Sequence, residues 1–252
     1  GFALSGDGFT VIMDYYRDSE DGQAQADLNR LMDGTFSNQE AGMPEGTVHS
    51  ELLRRPGKLY VLASHFHPDH FNKEVLQWRE QRPDIIYIFS KDILRHRRAQ
   101  KEDAVWLKKG EEYKDETLSV RAFGSTDVGV SFLLQASGKK IFHAGDLNNW
   151  HWMDESTEAE WKGAEKNFLH ELDDLYAYTP EVDVAMFPVD PRLGKEYMRG
   201  AGQFVTKIKT HIFVPMHFTP EYAKANAFRD FAEAHGVRFV SLTHRGQKIE
   251  IE

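Results

Sequence analysis

The chain has 252 residues, a net charge of −9 and a pI near 5.7, which is long enough for one large domain with a substantial core. The acidic balance argues against broad binding to nucleic acid or to anionic membranes, and the absence of cysteine excludes disulfides, thiolate metal ligands and a cysteine nucleophile. No apolar stretch approaches the ~20 residues that span a bilayer, and no signal peptide is visible. A cytoplasmic location is expected, and the start on Gly1 rather than Met, directly into a hairpin, is read as a processed or engineered one, with the natural N-terminus expected to lie outside this sequence.

Phe2 to Tyr16 reads as two strands about the turn Ser5-Gly6-Asp7-Gly8. Arg17 to Arg55 is polar and acidic and is broken by Gly22, Gly34, Gly42, Pro44 and Gly46. Ala24 to Met32 could be helical; the rest is a long loop of the kind that is uncommon unless functional or disordered, and a flap beside a site is expected there. The apolar run Leu59 to Leu62 predicts a buried strand, and Asn72 with the residues after it predicts a capped helix. Further strands are expected at Ile85 to Phe89, Leu118 to Phe123, Val130 to Gln135, Lys140 to Ala144, Val182 to Val189, Ile212 to Pro215, Val237 to Leu242 and Lys248 to Ile251. Helices are expected near Lys91 to Arg98, between Glu155 and Tyr178 with Phe168, Leu172 and Leu175 on one stripe, over Glu196 to Lys209, and over Pro220 to His235. Strands and helices interleave in both halves, so the expectation is sheets covered by helices in one domain, residues 1–252.

Between the strand at Leu59 and the helix after Asn72 lies Ser-His-Phe-His-Pro-Asp-His-Phe, Ser64 to Phe71. His65, His67, Asp69 and His70 thus sit in a strand-to-helix loop, where a rigid scaffold presents its chemistry. His65 and His67, two apart in extended backbone, project to one side. Pro68 keeps His67 extended, after which Asp69 and His70 turn toward the helix. One pair suits one metal ion and the other pair a second. Three later apolar runs also end on a ligand type: Asp127 in Gly-Ser-Thr-Asp-Val-Gly, Asp146 in His-Ala-Gly-Asp, where Gly145 permits a close turn, and His217 in Pro-Met-His-Phe.

These motifs, in this order, resemble the metallo-β-lactamase superfamily over most of the chain. The wording His-Ala-Gly-Asp, Pro-Met-His-Phe and Phe-Pro-Val-Asp is most similar to the branch of L-ascorbate-phosphate lactonases and N-acyl-phosphatidylethanolamine phospholipases. The resemblance implies a four-layer αββα sandwich of two mixed sheets with helices outside and a two-metal site at one edge. It implies His65 and His67 as ligands of the first metal, Asp69, His70 and His217 as ligands of the second, and Asp146 as the bridging carboxylate. One position departs: the family usually has a histidine between its first loop and the Gly-Asp motif, and here Asp127 stands there. Asp127 is either an oxygen ligand to the first metal or an ordinary turn residue. As a ligand it would neutralise two divalent ions already facing Asp69, Asp146 and a bridging hydroxide, and would favour harder ions. Zinc is expected first, with manganese or iron as alternatives.

Such a site suits metal-assisted hydrolysis, in which two ions ~3.5–4 Å apart bring the pKa of a bound water toward ~7, with Asp69 orienting the nucleophile and moving its proton. Further candidates are His143, as a buried structural or proton-moving residue, and Asn148, Trp150, His151 and Trp152, as walls of a substrate pocket. Asp190 and Arg192 could bind substrate or brace a ligating histidine, and His244 is an additional candidate. His49, His96, His170, His211 and His235 read as surface or packing residues, and the basic run Leu94 to Arg98 as a solvated helix face. The expected substrate is a small ester, lactone or phosphodiester rather than nucleic acid. The alternatives are a nuclease or phosphodiesterase acting on nucleic acid, or a non-catalytic metal-binding descendant. Oligomeric state is open, a homo-oligomer included.

Overall fold

The computed structural model describes residues 1–17, 48, 50–218 and 220–251. The helix expected over Ala24 to Met32 and most of the expected flap lie outside them. Strands β1 (Phe2–Gly6) and β2 (Phe9–Met13) form the N-terminal hairpin, and helix α1 (Ser50–Arg54) leads into β3 (Lys58–Ala63). A 3₁₀ helix follows over Lys73–Glu80, where Asn72 caps by accepting from the Glu74 N–H. Then come β4 (Ile86–Ser90), helix α2 (Lys91–Arg95), β5 (Val105–Leu107), β6 (Glu112–Lys114), β7 (Ser119–Phe123), β8 (Ser131–Ala136) and β9 (Lys139–His143). Helix α3 (Glu158–Tyr178) precedes β10 (Glu181–Pro188), and a 3₁₀ segment Pro191–Glu196 precedes helix α4 (Arg199–Lys207) and β11 (Lys209–Met216). Short helices α5 (Tyr222–Asn226) and α6 (Arg229–Ala234) and strand β12 (Arg238–Phe239) complete the order.

The strands form two sheets, ordered β1-β2-β3-β4-β5 and β12-β11-β10-β9-β8-β7-β6. In the first, β2 to β5 run parallel; in the second, β9 to β12 run parallel and β6 to β9 antiparallel. β2 is buried at every residue and β3 at all but its first, which is why both read as unbroken apolar runs rather than alternating ones. Between the sheets pack Val11, Met13, Tyr60, Leu62 and Ile88 against Phe132, Leu134, Ile141, Val184 and Val214. The outer face of the second sheet is covered by α3, α4 and α6 through Phe168, Leu172, Leu175, Phe204 and Ala232. That of the first is covered by Leu53, Phe71, Val75, Trp78 and Ile93. This is the expected αββα sandwich.

The third helix begins where its sequence directs: Thr157 accepts from the Glu160 N–H while Glu160 accepts from the Thr157 N–H, a reciprocal cap. Beside the start of β3, Asp115 accepts from Lys58 Nζ (2.9 Å), Tyr60 Oη (2.8 Å), Tyr113 Oη (3.0 Å) and the backbone N–H groups of Thr117 and Leu118. Several C-terminal expectations need correction. The helix expected over Pro220 to His235 is broken into α5 and α6, and the one expected from Glu196 starts only at Arg199. The strand expected over Val237 to Leu242 contracts to Arg238–Phe239. Lys248 to Ile251 joins no ladder: its Ile-Glu-Ile alternation suits a strand, but β11 is paired with β12 only at Arg238 and Phe239.

Candidate metal centre

Parallel strands from both sheets end at one edge, and the residues that follow them make the site. Asp14 follows β2, Ser64 and His65 follow β3, Gly145 and Asp146 follow β9, Asp190 follows β10, and His217 follows β11. The two sheets approach closely here. The Val130 N–H donates to the Ser64 carbonyl (3.0 Å). Gly145, at φ +53°, has room for no side chain, since a Cβ would lie 2.9 Å from Ser64 Cβ and Oγ.

Two groups of ligand atoms result: His65, His67 and Asp146, and Asp69, His70 and His217, each with its atoms within 4.8 Å of one another. Asp146 faces both. Its Oδ2 lies 3.4 Å from His65 Nε2, while its Oδ1 lies 3.1 Å from His70 Nε2 and 3.4 Å from His217 Nε2. That buried Oδ1 has no hydrogen-bond partner of acceptable geometry among the described residues, an expensive arrangement for a carboxylate oxygen unless a cation faces it. His65 Nε2 and His67 Nδ1 likewise face each other at 3.0 Å. Acceptor atoms converging on shared centres in this way fit divalent cations. Asp127, 46% exposed, stands outside both groups with its Oδ2 3.7 Å from His67 Nδ1.

The nitrogens that face away from these centres are fixed by buried carboxylates. Asp14, 3% exposed, accepts from the Ser64 N–H and the Ser64 hydroxyl, both at 2.7 Å, and from His70 Nδ1–H at 2.7 Å. With its hydroxyl proton turned to Asp14, Ser64 Oγ accepts from His65 Nδ1–H (3.0 Å). Asp190, 1% exposed, accepts from His217 Nδ1–H (2.9 Å) and is gripped by Arg192 through Nε (3.0 Å) and Nη2 (2.6 Å). Each of these histidines is thereby left with an Nε2 lone pair aimed inward, the arrangement that orients metal-binding imidazoles. Burial works against the ionised Asp190, yet His217 and Arg192 hold it at about 2. Burial pulls His65 down to about 4. Burial opposes a proton on His70 as well, but Asp14 and Asp146 on either side raise it to about 10. Asp14 and His217 also adopt left-handed backbone, φ +50° and +62°, conformations that side-chain-bearing residues rarely hold without functional reason.

Sequence reasoning missed Asp14. The available signal was that it ends the apolar run Phe9–Met13 as Asp146 and His217 end theirs. The remaining candidates divide. Asp190 and Arg192 pair with each other, the carboxylate buried and the guanidinium exposed, and Asp190 braces His217. His143 is buried, its Nδ1 accepts from the Gly145 N–H (3.2 Å), and its Nε2 lies 3.7 Å from Asp14. Trp150 lies beside the ligand groups: its ring meets His217 edge to face at 5.5 Å, and its indole N–H donates to the Asp146 carbonyl (2.8 Å). Trp152 stacks on it at 6.4 Å. His151 and Asn148 correct the expectation of pocket walls, because both are buried. His151 accepts from the Met153 N–H and donates to the Glu196 carbonyl, and Asn148 exchanges backbone hydrogen bonds with Thr126 Oγ1. His244 is exposed beside Thr243 and belongs to neither group. His96, His170, His211 and His235 are exposed, as expected, and His49 lies outside the described residues.

Two helix-covered sheets meeting at an edge of inward-facing imidazoles and carboxylates define the αββα metallo-hydrolase class. Residues 47–218 match the family model of the Beta-lactamase superfamily domain, and the chain belongs to the metallo-β-lactamase superfamily. No curated protein matches the sequence. Among solved structures, Igni18, titled a novel metallo hydrolase from the hyperthermophilic archaeon Ignicoccus hospitalis, is similar at 15% identity over 95% of this chain and 90% of that one, with TM-score 0.58. YhfI, a metallo-beta-lactamase fold protein from Bacillus subtilis, is similar at 11% identity over 97% of this chain and 88% of that one, TM-score 0.56. The short form of human tRNase Z is similar at 12% identity over 99% and 91%, TM-score 0.50. At these identities the likeness speaks to the fold alone.

Proposed function

We propose that the chain is a metal-dependent hydrolase that holds two divalent ions and cleaves a small ester, lactone or phosphodiester, as in the lactonase and phospholipase branch its motifs resemble. The observation that carries this is Asp146, whose two carboxylate oxygens face two separate histidine groups. His65, His67 and Asp146 would hold one ion, with Asp127 closing that side; Asp69, His70, His217 and Asp146 would hold the other. Bound there, the ions supply Lewis acidity and make water nucleophilic near neutral pH. Zinc fits the nitrogen-rich donors best, and the oxygen of Asp127 leaves manganese or iron as alternatives.

The chain's own residues do the rest. Asp14 and Asp190 fix the imidazole tautomers, and Trp150 covers one side of His217. Asp69, whose side chain is 57% exposed, takes the proton of the attacking water and returns it to the leaving group. Arg192, whose side chain is 64% exposed, keeps donors beside His217 for a substrate oxygen. The net charge of −9 supports a small-molecule substrate over nucleic acid. The test is elemental analysis after purification without chelators, followed by a panel of lactones, phosphomonoesters, phosphodiesters and thioesters with zinc, manganese and iron reconstitution. Two ions per chain and turnover lost in Asp146→Ala with fold retained are expected. One ion or none, or full activity in Asp146→Ala, would overturn the reading.

A further inference from the structure

Beside the ligand cluster lies a cavity of about 390 Å³, walled by Thr126 and Trp150 on one side and by α3 on the other. It adjoins the centre on two flanks: Thr126 precedes Asp127, and the Trp150 ring packs on His217. We propose that this cavity is a specificity pocket that seats a neutral, planar ring of the substrate, remote from the bond that is cleaved. Calling its occupant a part of the substrate rests on the hydrolase reading; the pocket's preference for such a ring does not.

The floor is Gly163, inside a 21-residue helix. Glycine is a poor helix former, and here neither backbone nor packing calls for it: its φ is not positive, and a Cβ would meet nothing within 4 Å. What its missing side chain leaves is the open volume itself. The opposite wall is held rigid. The Trp150 indole N–H is tied to the Asp146 carbonyl, Trp152 stacks on the ring, and the Trp152 carbonyl accepts from the N–H groups of both Glu155 and Ser156. The φ of +42° at Trp152 is rare for an aromatic residue and persists only where its surroundings fix it. A fixed aromatic wall facing a bare helix favours a flat ring.

Charge narrows the chemistry further. Glu160 lines one end of the cavity and Asn167 the other, about 10 Å apart along the helix at 1.5 Å per residue. Among the described residues lining the cavity there is no lysine, arginine or histidine, so no cation there pairs with an anionic group, and the exposed Glu160 carboxylate, held by the Thr157 N–H and hydroxyl, repels one. The exposed Asn167 amide offers both a donor and an acceptor to a ring edge in exchange for water. A neutral ring with a polar edge satisfies both ends.

The test follows the indole ¹H–¹⁵N signal of Trp150, assigned by its loss in Trp150→Phe, during titration of the holoenzyme with benzamide and with its anionic counterpart benzoate. Benzamide should give a saturable shift, benzoate should bind about tenfold more weakly, and Glu160→Gln should narrow that gap with the helix cap intact, since glutamine serves equally in a capping box. Gly163→Leu should weaken benzamide by about tenfold or more, with Gly163→Ala intermediate. No saturable shift, equal binding of the two ligands, or benzamide binding unchanged in Gly163→Leu overturns the proposal. A turnover arm compares 4-nitrophenyl benzyl phosphate with 4-nitrophenyl methyl phosphate, which share a leaving group. A preference for the benzyl ester that collapses in Gly163→Leu supports the pocket's place in the substrate site, and equal kcat/KM in the native chain overturns it. Hydrolysis of neither counts against the phosphodiesterase reading alone, and the binding titration still decides the pocket.

Discussion

Asp14→Asn is the substitution whose effect the structure specifies most closely. The backbone accepts it, because φ at Asp14 is +50° and asparagine is among the few residues at ease there. The side chain is isosteric and remains buried, so the change is confined to one oxygen becoming an amide. The new oxygen can still accept from the Ser64 N–H. The NH₂ then faces His70 Nδ1 and Ser64 Oγ, where Asp14 Oδ2 had accepted from both at 2.7 Å. To avoid donor meeting donor, His70 must accept at Nδ1 and carry its proton on Nε2, the nitrogen 3.1 Å from Asp146 Oδ1. Ser64, receiving a proton from the amide, turns its own toward His65 Nδ1 and reverses that tautomer too. Both groups thus lose a lone pair. Loss of such an outer partner weakens metal binding about 10–100-fold, which is about 1.4–2.8 kcal/mol. Competition of zinc against a chromophoric chelator reads the affinities, and imidazole ¹⁵N shifts read the tautomers directly. Ser64→Ala is the contrast: it removes the acceptor of His65 Nδ1–H and one donor to Asp14 but keeps the Asp14–His70 bond, so it should weaken the ion at His65 more than the other. Affinities within twofold of the native chain, or unchanged tautomers, would refute the reasoning.

Three further outcomes are expected. In the metal-free chain Asp14 and Asp146 raise His70 to about 10, so below that pH a cation must displace its proton. Zinc affinity should therefore rise about tenfold per pH unit for that one proton between pH 7 and 9, and calorimetry in buffers of different ionisation enthalpy checks the proton count. Asp127→His should tighten the ion held by His65, His67 and Asp146 if the position closes that side, and elemental analysis with chelator competition reads it; an unchanged affinity leaves Asp127 a turn residue. Far from the site, Asp115→Asn leaves one acceptor oxygen for donors that two now serve. Losing about two hydrogen bonds costs about 1–3 kcal/mol. Burial alone would raise Asp115, yet the N–H groups of Leu118 and Thr117, with Lys58 and Tyr60, hold it below the usual carboxylate range. The stability it adds is present above the unfolded value of about 4 and is lost as pH falls, so the variant and native chains should converge in acid. The loss runs from about pH 4 down through the depressed native value, so thermal melts at pH 7 and pH 2 should show a smaller gap at pH 2, and a gap of equal size at both counts against it.

The parts of this site legible in the sequence were those whose neighbours lie close along the chain. His65, His67, Asp69 and His70 share one loop, and Asp146 and His217 each end an apolar run, so the ligand groups could be set out before any coordinates. Asp14 ends an apolar run as they do, but no neighbouring motif marks it. An aspartate after a strand is ordinarily a turn residue, and only the parallel pairing of β2 with β3 brings it beneath Ser64 and His70. Asp190 was legible as a substrate-binding or bracing candidate because it closes the Val182–Val189 strand; that the histidine is His217 follows from the parallel pairing of β10 with β11. His151 and Asn148 misled for a related reason: following the Gly-Asp motif, they read as pocket walls, but α4 and the Pro191–Glu196 segment pack over them, with Gly200 against the Asn148 amide. Lys248 to Ile251 shows the limit of alternation, which marks an extended segment without saying whether a strand lies beside it.

The left-handed backbone at Asp14 and His217 sets the chain's thermal robustness against its chemistry. Such a conformation disfavours a residue with a side chain by up to about 1–2 kcal/mol, least for residues such as aspartate, and glycine at either place would relieve it while erasing a ligand or the carboxylate that orients two others. Glycine would also leave buried partners unpaired, the Ser64 and His70 donors at Asp14 and the Asp190 carboxylate at His217, at about 1–3 kcal/mol each, so backbone strain and hydrogen bonding are set against each other at these two residues. Stabilising this protein without disabling it therefore means leaving those two positions untouched and working in the helices and turns that face away from the edge.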